Sequence, residues 1–419
     1  MTAIHAGSLN ETSRGMRTAI AFLGRRNAGK SSLINALVGF DLAIVSDVAG
    51  TTTDPVHKAV EINPLGPCLV IDTAGIDDEG ELGQKRIKKT REVIRDSDVG
   101  LIIVGDGCWT DFEEDMLKAL EEKNKPVIIV LNKSDLFDYG QLQASLRARG
   151  REVLLTTAPA GLGLNELKDK IRQLKQVSKI DEPSIVGDII HPGDLVVLVV
   201  PIDLGAPKGR LILPQVQTIR DILDNDAAAL VVKERELADT LNRLREKPAL
   251  VITDSQVVLK VSGDVPDDVP LTTFSTVFTR FKGDLRAMVE GVRQIDSLNH
   301  GDRVLIAEAC THHALADDIG RVKIPRWLRQ YTGKDLVFET AAGPGFNQDI
   351  GRYHMIIQCG GCTITRTAYQ NRIETARQQG VPITNYGIAI SYVQGVLNRI
   401  IKPFPELRDL VQHSVYSCP

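Results

Sequence analysis

The chain has little cysteine, little net charge and no long apolar run. Its 419 residues include six cysteines, and 50 basic against 54 acidic residues give a net charge of −4. A chain of this length buries its own cores without a disulfide framework. The near-neutral charge disfavours a protein that coats nucleic acid through bulk charge. Because no apolar run reaches the length of a membrane span, we expect no transmembrane helix.

The N-terminus lacks the apolar core of a signal peptide, so we expect a cytoplasmic protein. Residues 1–16 are polar and are predicted to form a flexible tail. At roughly 150 residues per domain, the length allows two or three domains. Short apolar strands alternate with amphipathic helices over 17–178, which predicts a mostly parallel sheet covered by helices. Two smaller α/β domains with mostly parallel sheets are predicted over 184–265 and 270–419.

Residues 24–31, GRRNAGKS, fit the phosphate-loop pattern G-x-x-x-x-G-K-[ST] between a strand and a helix. The glycines let backbone N–H groups converge on phosphate oxygens, and the helix presents its positive end to the same anion. Lys30 can reach the β- and γ-phosphates, and Ser31 can ligate Mg²⁺. The nucleotide contacts predicted in this loop are Asn27, Ala28, Gly29, Lys30, Ser31 and Ser32.

Two further motifs follow predicted strands in the order that a GTP site requires. Asp72 begins DTAG and can hold Mg²⁺ through water, while the Gly75 N–H can sense the γ-phosphate. Asn132, Lys133 and Asp135 belong to NKSD, whose last carboxylate can accept both N1–H and the exocyclic amine of guanine. Adenine leaves that carboxylate unpaired, which is costly in a closed site. The sequence therefore predicts GTP and GDP as ligands.

The set GRRNAGKS, GTTTD, DTAG and NKSD resembles the TrmE/Era-like GTPases, the family of the tRNA-modifying GTPase and of Era. The resemblance implies Thr52 as a Mg²⁺ ligand, Thr157 and Ala158 as the second base-recognition loop, and a K⁺ ion at Asn27. Ile76 replaces the glutamine that orients the attacking water in Ras-like enzymes. Isoleucine cannot do so, which leaves a monovalent cation, another acidic residue or a partner to assist hydrolysis. The resemblance implies K⁺ in this role, and we expect slow hydrolysis that K⁺ accelerates. The residues expected to act in hydrolysis are Lys30, Thr52 and Gly75.

Three of the four cysteines in the last third of the chain form two groups. Cys310 and His312 make C-T-H, and Cys359 and Cys362 make C-G-G-C after an interval of 48 residues. Parallel strands are predicted to end on Cys310 and Cys359, and the carboxyl ends of such strands share one edge of a sheet. Three thiolates suit a [4Fe–4S] cluster with one non-cysteine ligand or, with His312 or His313, a zinc site. A redox-active C-x-x-C pair and three structural cysteines remain open alternatives.

A GTPase followed by C-x-H and C-x-x-C resembles the HydF family of [FeFe]-hydrogenase maturation GTPases over the whole chain. The family pattern also has a histidine directly before C-x-x-C, where this chain has Gln358, so the fourth cluster ligand is left open. The resemblance implies a [4Fe–4S] cluster on Cys310, Cys359 and Cys362, with His312 as the candidate fourth ligand. Its rivals are Glu308, His313 and His354.

The same resemblance implies partners and a cargo. A di-iron precursor bearing CO, cyanide and a dithiolate would come from radical S-adenosylmethionine maturases and pass to apo-[FeFe]-hydrogenase. The middle domain would mediate a homodimer, and no nucleic-acid or membrane partner is expected. The alternative function is an RNA- or ribosome-associated GTPase with a zinc-stabilised C-terminal domain. Residues 270–419, however, contain no G-x-x-G clamp with flanking lysines.

Overall fold

A computed structural model of the chain divides it into two compact units, Met1–Glu182 and Pro183–Pro419. The residues described are 17–39, 56–72, 90–177, 184–201, 211–309, 318–343, 349–361 and 364–412. Within these ranges no helix is both long and apolar enough to cross a membrane.

The first unit is built on a six-stranded sheet. Its strands are β1 (Thr18–Leu23), β2 (Val56–Ile62), β3 (Gly66–Asp72), β4 (Val99–Val104), β5 (Val127–Asn132) and β6 (Val153–Thr156). They lie in the order β2-β3-β1-β4-β5-β6, and only β2 runs antiparallel to its neighbour. The apolar runs predicted all the strands except β2. That strand is at the sheet edge, and its VHKAVEI sequence lacks the continuous apolar character of a strand buried on both faces.

Helices cover both faces of this sheet. They are α1 (Lys30–Val38), residues 90–96, α2 (Asp111–Glu122), α3 (Gly140–Ala148) and α4 (Leu164–Val177). Alternate residues of β1 point to opposite faces. Ile20 therefore packs in one core with Leu33 of α1, and Ala21 packs in the other core with Leu117 of α2. This two-sided burial confirms the predicted α/β layering.

The second unit contains two four-stranded sheets, and both are parallel throughout. Their strands are β7 (Leu195–Val199), β8 (Ala228–Val232), β9 (Leu250–Thr253), β10 (Leu271–Thr273), β11 (Arg303–Glu308), β12 (Val337–Ala342), β13 (Met355–Gln358) and β14 (Ile383–Asn385). The orders are β10-β9-β7-β8 and β12-β11-β13-β14. Strand β10 pairs with β9 although it follows the boundary predicted at residue 265.

One continuous hydrophobic core serves both of these sheets. It joins Val197 and Val251 of the first sheet to Ile306 and Ile356 of the second. The helices are α5 (Leu213–Asp224), α6 (Leu237–Arg243), α7 (Val258–Asp264), α8 (Phe274–Lys282), α9 (Leu285–Val292), α10 (Ile324–Thr332), α11 (Arg366–Gln378), α12 (Tyr386–Val393), α13 (Leu397–Ile401) and α14 (Arg408–Gln412). The shared core packs tightly against the sheet β12-β11-β13-β14 and so restrains the ends of its strands.

The strands that carry the cysteine motifs are shorter than predicted. We expected strands ending on Cys310 and Cys359, but β11 ends at Glu308 and β13 ends at Gln358. The ladder between β11 and β13 stops where Ala307 pairs with Gln358. Beyond that pair, Glu308 still pairs with Ala342 of β12, and the Cys359 N–H donates to the Ala307 carbonyl at the carboxyl edge of the sheet.

Candidate nucleotide site and thiolate centre

The phosphate loop lies between β1 and α1 and holds its lysine in place. Lys30 is buried, and its Nζ donates to the carbonyl oxygens of Gly24 at 2.7 Å and Arg25 at 2.9 Å. Both carbonyls belong to the phosphate loop, so the two hydrogen bonds hold the lysine ammonium group inside the loop. Ser31 and Ser32 follow at the exposed start of α1. Their N–H groups lie in the first turn, where a helix offers unpaired donors to an anion.

Asn132 ties the phosphate loop to both base-recognition segments. Its side chain is buried at the end of β5, where Nδ2 donates to the Ala28 carbonyl at 3.1 Å. The Thr156 hydroxyl donates to Asn132 Oδ1, also at 3.1 Å. Gly29 has φ of 90°, and a Cβ there would lie only 2.3 Å from Asn132 Nδ2. Glycine at this position is therefore needed for both its conformation and its lack of a side chain.

The remaining members of the predicted base site meet around Asn132. Lys133 Nζ donates to the Asn27 carbonyl at 2.7 Å, and both residues have left-handed backbone conformations. The Ser134 and Thr157 hydroxyls are 2.9 Å apart, which joins NKSD to the Thr157-Ala158 loop. The Asp135 side chain is exposed. The structure thus brings the predicted base contacts together, while their roles toward a nucleotide stay predictions.

Asp72 has the environment of an acidic residue that can bind a cation. It ends β3, and Ser31 Oγ donates to its Oδ2 at 3.4 Å. Its Oδ1 is buried with no hydrogen-bond partner among the described residues. Burial raises the pKa of Asp72, and the nearby Lys30 ammonium and Ser31 hydroxyl oppose that increase. An unpaired buried carboxylate oxygen beside a serine hydroxyl fits the hard oxygen ligands that Mg²⁺ prefers.

The role of Arg25 was not predicted, because the phosphate-loop motif accepts any residue at this position. Its Nε donates to the fully buried Glu113 at 2.8 Å, and its Nη2 donates to Asp106 and to the Cys108 carbonyl, each at 2.8 Å. Glu113 also accepts from the Thr110 hydroxyl at the start of α2. The phosphate loop is therefore anchored to the segment that follows β4.

Several predicted residues lie outside the described ranges. They are Thr52, Gly75, Ile76, Cys310, His312, His313 and Cys362. Their roles stay predictions.

Cys359 is the described member of the predicted thiolate set, and it lies beside the strand that leads to Cys310. The Ala309 backbone N–H donates to the Cys359 Sγ at 3.1 Å, and the Cys359 N–H donates to the Ala307 carbonyl at 2.8 Å. Ala309 directly precedes Cys310 in the chain. The parallel pairing of β11 with β13 therefore brings Ala309 and Cys359 to the same sheet edge, while the common site of the three cysteines stays a prediction.

The C-G-G-C turn is packed closely against the helices. Gly361 has φ of 62°, and a Cβ there would lie 2.7 Å from the Tyr369 ring. Lys282, at the end of α8, donates from Nζ to the Gly361 carbonyl at 3.0 Å. Gly360 has open space around its α-carbon. The turn is thus held from the helix side at Gly361 and is open at Gly360.

The structure removes one rival for the fourth ligand and constrains another. His354 precedes β13, where its Nδ1 accepts from the Arg303 N–H, so it lies at the amino end of the strand that Cys359 follows. At about 3.3 Å per residue, that separation exceeds any ligand bond. Glu308 is buried, and both of its carboxylate oxygens accept from Arg321, at 3.0 and 2.6 Å.

Gln358, which stands where the family pattern has histidine, is fully buried. Both amide atoms lack a hydrogen-bond partner within the described part of the chain. The same ranges contain no group of three or more His, Cys, Asp or Glu side chains placed to hold a metal ion. A free thiol that accepts a backbone N–H beside a glycine turn nevertheless fits a cluster ligand, because such donors stabilise thiolate sulfur.

A phosphate loop after β1, an acidic residue after β3 and an Asn-Lys-x-Asp loop after β5 define the first unit as a P-loop GTPase domain. Residues 19–133 accordingly match the 50S ribosome-binding GTPase family. Residues 185–283 match the hydrogen maturase F dimerization domain, and residues 286–403 match the hydrogen maturase F tetramerization domain. These last two matches cover more than half of the chain, which belongs to the hydrogen maturase F family. The resemblance predicted from the motifs is confirmed, and the second unit carries the family's oligomerization domains.

Relatives outside the family share the first unit. GTPase Der from Kosmotoga olearia is 33% identical over 166 residues, which are 36% of this chain and 37% of that protein. The tRNA modification GTPase MnmE from Aquifex aeolicus is 35% identical over 167 residues, 40% of this chain and 36% of that protein. The chain thus spans about a third of the length of the curated relatives it matches. Aquifex aeolicus Era bound to GDP.AlF4- is 23% identical and has a TM-score of 0.31, covering 54% of this chain and 98% of that one.

Proposed function

We propose that this chain is a GTP-hydrolysing carrier in the maturation of [FeFe]-hydrogenase. It would hold a [4Fe–4S] cluster, accept a di-iron precursor from radical S-adenosylmethionine maturases, and deliver that precursor to apo-[FeFe]-hydrogenase in the cytoplasm. The observation that carries the proposal is the 3.1 Å hydrogen bond from the Ala309 N–H to the Cys359 thiol. It supports a common site for Cys310 and the C-G-G-C turn in a chain of the hydrogen maturase F family.

The residues that would hold the cluster are Cys310, Cys359 and Cys362. A [4Fe–4S] cluster bound by three thiolates supplies one iron with an exchangeable ligand position. Such a position suits a carrier, because a metal fragment can dock and leave there, whereas four thiolates would close the site. His312 is the proposed labile ligand. Glu308 is already paired with Arg321, and that ion pair must break before its carboxylate can bind iron.

GTP would act as a switch in this carrier. The γ-phosphate would order Thr52 and the Gly75 loop, and hydrolysis would release them. Lys30 and Ser31 would hold the phosphates and Mg²⁺, which supplies charge neutralisation at the γ-phosphate, and Asp72 would orient that ion from the end of β3. The nucleotide state would then alter the affinity for partner maturases. Equal partner affinities in the GTP and GDP states would contradict the switch.

Potassium would activate hydrolysis through Asn27. This residue is exposed in the phosphate loop with φ of 60°, and its carbonyl is held by Lys133, so its side chain is presented from a fixed backbone. Slow hydrolysis should accelerate in K⁺ relative to Na⁺, and Asn27→Ala should remove the difference between the two salts while retaining GTP binding. Equal wild-type rates in both salts would exclude K⁺ activation.

Metal analysis tests the carrier function directly. The full-length protein is purified anaerobically, its iron, sulfide and zinc are quantified, and the EPR spectrum of the dithionite-reduced protein is recorded. We expect a four-iron signal in the wild type that is lost in Cys359→Ser. Cys108→Ser is the matched control, because Cys108 is an exposed free thiol of the GTPase unit. A wild-type circular-dichroism spectrum and melting curve for Cys359→Ser would show that the variant is folded, including the second unit that carries the substitution.

The delivery step has its own test. Carrier loaded by the maturases should activate apo-[FeFe]-hydrogenase, and the Cys359→Ser variant should not. Stoichiometric zinc without iron in the wild type would instead favour the ribosome- or RNA-associated alternative. The expected homodimer, or a tetramer of the kind named in the family's domain description, is measured by light scattering of the same samples.

A further inference from the structure

Two buried cationic side chains hold the backbone on either side of the thiolate centre. Lys282 is 1% exposed, and its Nζ donates to the Gly361 carbonyl at 3.0 Å. Arg372, in α11, is 3% exposed, and its Nη2 donates to the Glu308 carbonyl at 3.2 Å. Gly361 directly precedes Cys362, and Glu308 lies two residues before Cys310. Positive charge therefore reaches both cysteine segments from the helix layer.

Of these two cations, Lys282 is the one with a hydrogen bond to the C-G-G-C motif. Besides the Gly361 carbonyl, its ammonium has the ring of Phe278 nearby, with 6.0 Å between Nζ and the ring centroid. Lysine is seldom fully buried, because an ammonium group loses its hydration there. A charge in such a low-dielectric setting acts on its neighbours more strongly than the same charge in water.

We propose that Lys282 sets the reduction potential of the cluster held at this turn. The inference rests on the proposed function, in which Cys310, Cys359 and Cys362 bind a [4Fe–4S] cluster. Three thiolates outweigh the 2+ charge of the oxidised core, so the oxidised site is already anionic. A buried ammonium beside the turn lowers the free energy of any state that carries more negative charge.

The redox step is the transfer of one electron to the cluster from a low-potential one-electron donor such as dithionite. The core passes from 2+ to 1+, no bond breaks, and no proton moves. Because the site gains one negative charge, the Lys282 ammonium stabilises the reduced form more than the oxidised form. The positive charge of Arg372, beside the Glu308 backbone carbonyl, also stabilises the reduced form. The negative charge of the Glu308 carboxylate is offset by its ion pair with Arg321.

Three substitutions separate the charge of Lys282 from its hydrogen bond. Lys282→Met removes both, Lys282→Gln removes the charge and keeps an N–H donor, and Lys282→Arg keeps the charge. Lys402→Met is the matched control, since Lys402 is exposed and its charge is screened by solvent. Each full-length variant is reconstituted anaerobically, its iron and sulfide per chain are measured, and its midpoint potential is obtained by EPR-monitored titration.

We expect the midpoint potential of Lys282→Met and Lys282→Gln to fall by at least about 59 mV, a tenfold change for a one-electron couple. Lys282→Arg and Lys402→Met should stay near the wild-type potential. An unchanged potential in Lys282→Gln with wild-type iron content would overturn the inference. Loss of the cluster from Lys282→Arg would also overturn it, because the shape of the lysine would then matter more than its charge.

Failure of the underlying function has a different outcome. A wild-type protein without a four-iron EPR signal would contradict the proposed cluster itself, before any variant is compared. A wild-type signal accompanied by identical potentials in all variants would retain the cluster and reject only the role of Lys282.

Discussion

The ring of Tyr369 lies against the α-carbon of Gly361, the second glycine of C-G-G-C. A Cβ at Gly361 would lie 2.7 Å from the tyrosine Cδ2, and Tyr369 itself is fully buried between this glycine and Gly283. The tyrosine therefore fixes how closely α11 approaches the turn. The two glycines of the motif are consequently unequal, since a Cβ at Gly360 would meet open space.

Gly361→Ala should lose most of the iron that the wild type binds. The alanine would have to adopt a left-handed conformation, at about 1–2 kcal/mol, and would overpack the tyrosine ring, at about 1–3 kcal/mol. Gly360→Ala is the matched control and should retain its iron. Iron and sulfide analysis of both reconstituted proteins checks this prediction, which fails if the two variants bind equal amounts.

Gly29→Ala should lower the affinity for GTP at least tenfold, a loss of about 1.4 kcal/mol. The new Cβ would lie 2.3 Å from Asn132 Nδ2 and would displace the side chain that joins the three nucleotide loops. Gly39→Ala, at the other end of α1, has a similar φ of 86° but nothing within 4 Å of its Cβ. It should lose thermal stability while keeping the wild-type Kd. Fluorescent-nucleotide titration and a melting curve separate the two effects, and equal Kd values would refute the Asn132 linkage.

Asp135→Asn should change the base specificity of the nucleotide site from guanine to xanthine. The carboxylate is predicted to accept two N–H groups of guanine, and removing that pairing should weaken GTP binding about ten- to hundred-fold. Xanthine carries a carbonyl in place of the exocyclic amine, so an asparagine N–H can donate to it. Asp115→Asn, an exposed change on α2, should leave the Kd for GTP unaltered. Competition between GTP and xanthosine triphosphate measures the exchange, and unchanged GTP affinity would remove Asp135 from the base site.

Glu114→Gln should destabilise the protein near neutral pH but not in strong acid. Glu114 accepts from Arg149 at 2.6 Å and from Trp109 Nε1 at 2.9 Å. The Arg149 hydrogen bond, followed by that of Trp109, lowers the pKa of Glu114 from 4.5 to about 2. Because the folded pKa lies below the unfolded one, the stabilisation is complete above pH 4.5 and disappears as the pH falls toward 2.

The size of this effect is limited by solvent. Arg149 is more than a third exposed, so solvent screens the pair and we expect only a small loss of stability. Urea denaturation of wild type, Glu114→Gln and the exposed control Glu122→Gln at pH 7 and pH 3 measures it. A difference between wild type and Glu114→Gln that is as large at pH 3 as at pH 7 would assign the effect to packing rather than charge.

Much of the GTPase unit could be predicted because its determinants are local. The strands β1, β3, β4, β5 and β6 are continuous apolar runs, and a strand buried on both faces has no other composition available to it. The phosphate loop, DTAG and NKSD each begin at or directly after the end of one of these strands, so their position at the carboxyl edge follows from the parallel arrangement. Strand β2 was missed because an edge strand is exposed and mixed in polarity.

The thiolate centre could be predicted only in part. The cysteine spacing suggested a common site, but strand register decides whether two segments 48 residues apart meet. Pairing of Ala307 with Gln358 places Ala309 on the Cys359 thiol, and the same register leaves His354 at the opposite end of β13. Lys282 and Arg372 belong to no sequence motif. Charged residues in helices are usually exposed, so the burial of these two could not be predicted from the sequence.

The amino-acid sequence by itself determined the α/β class, the phosphate loop, the base-recognition loop and the C-T-H and C-G-G-C motifs, since each depends on residue types within a few positions of one another. Tertiary structure alone decided that Asn132 joins three loops, that Arg25 anchors the phosphate loop to Glu113, and that Lys282 and Tyr369 contact Gly361. These contacts join residues that are distant in the chain. Their partners are chosen by strand order and helix packing, which no local pattern encodes.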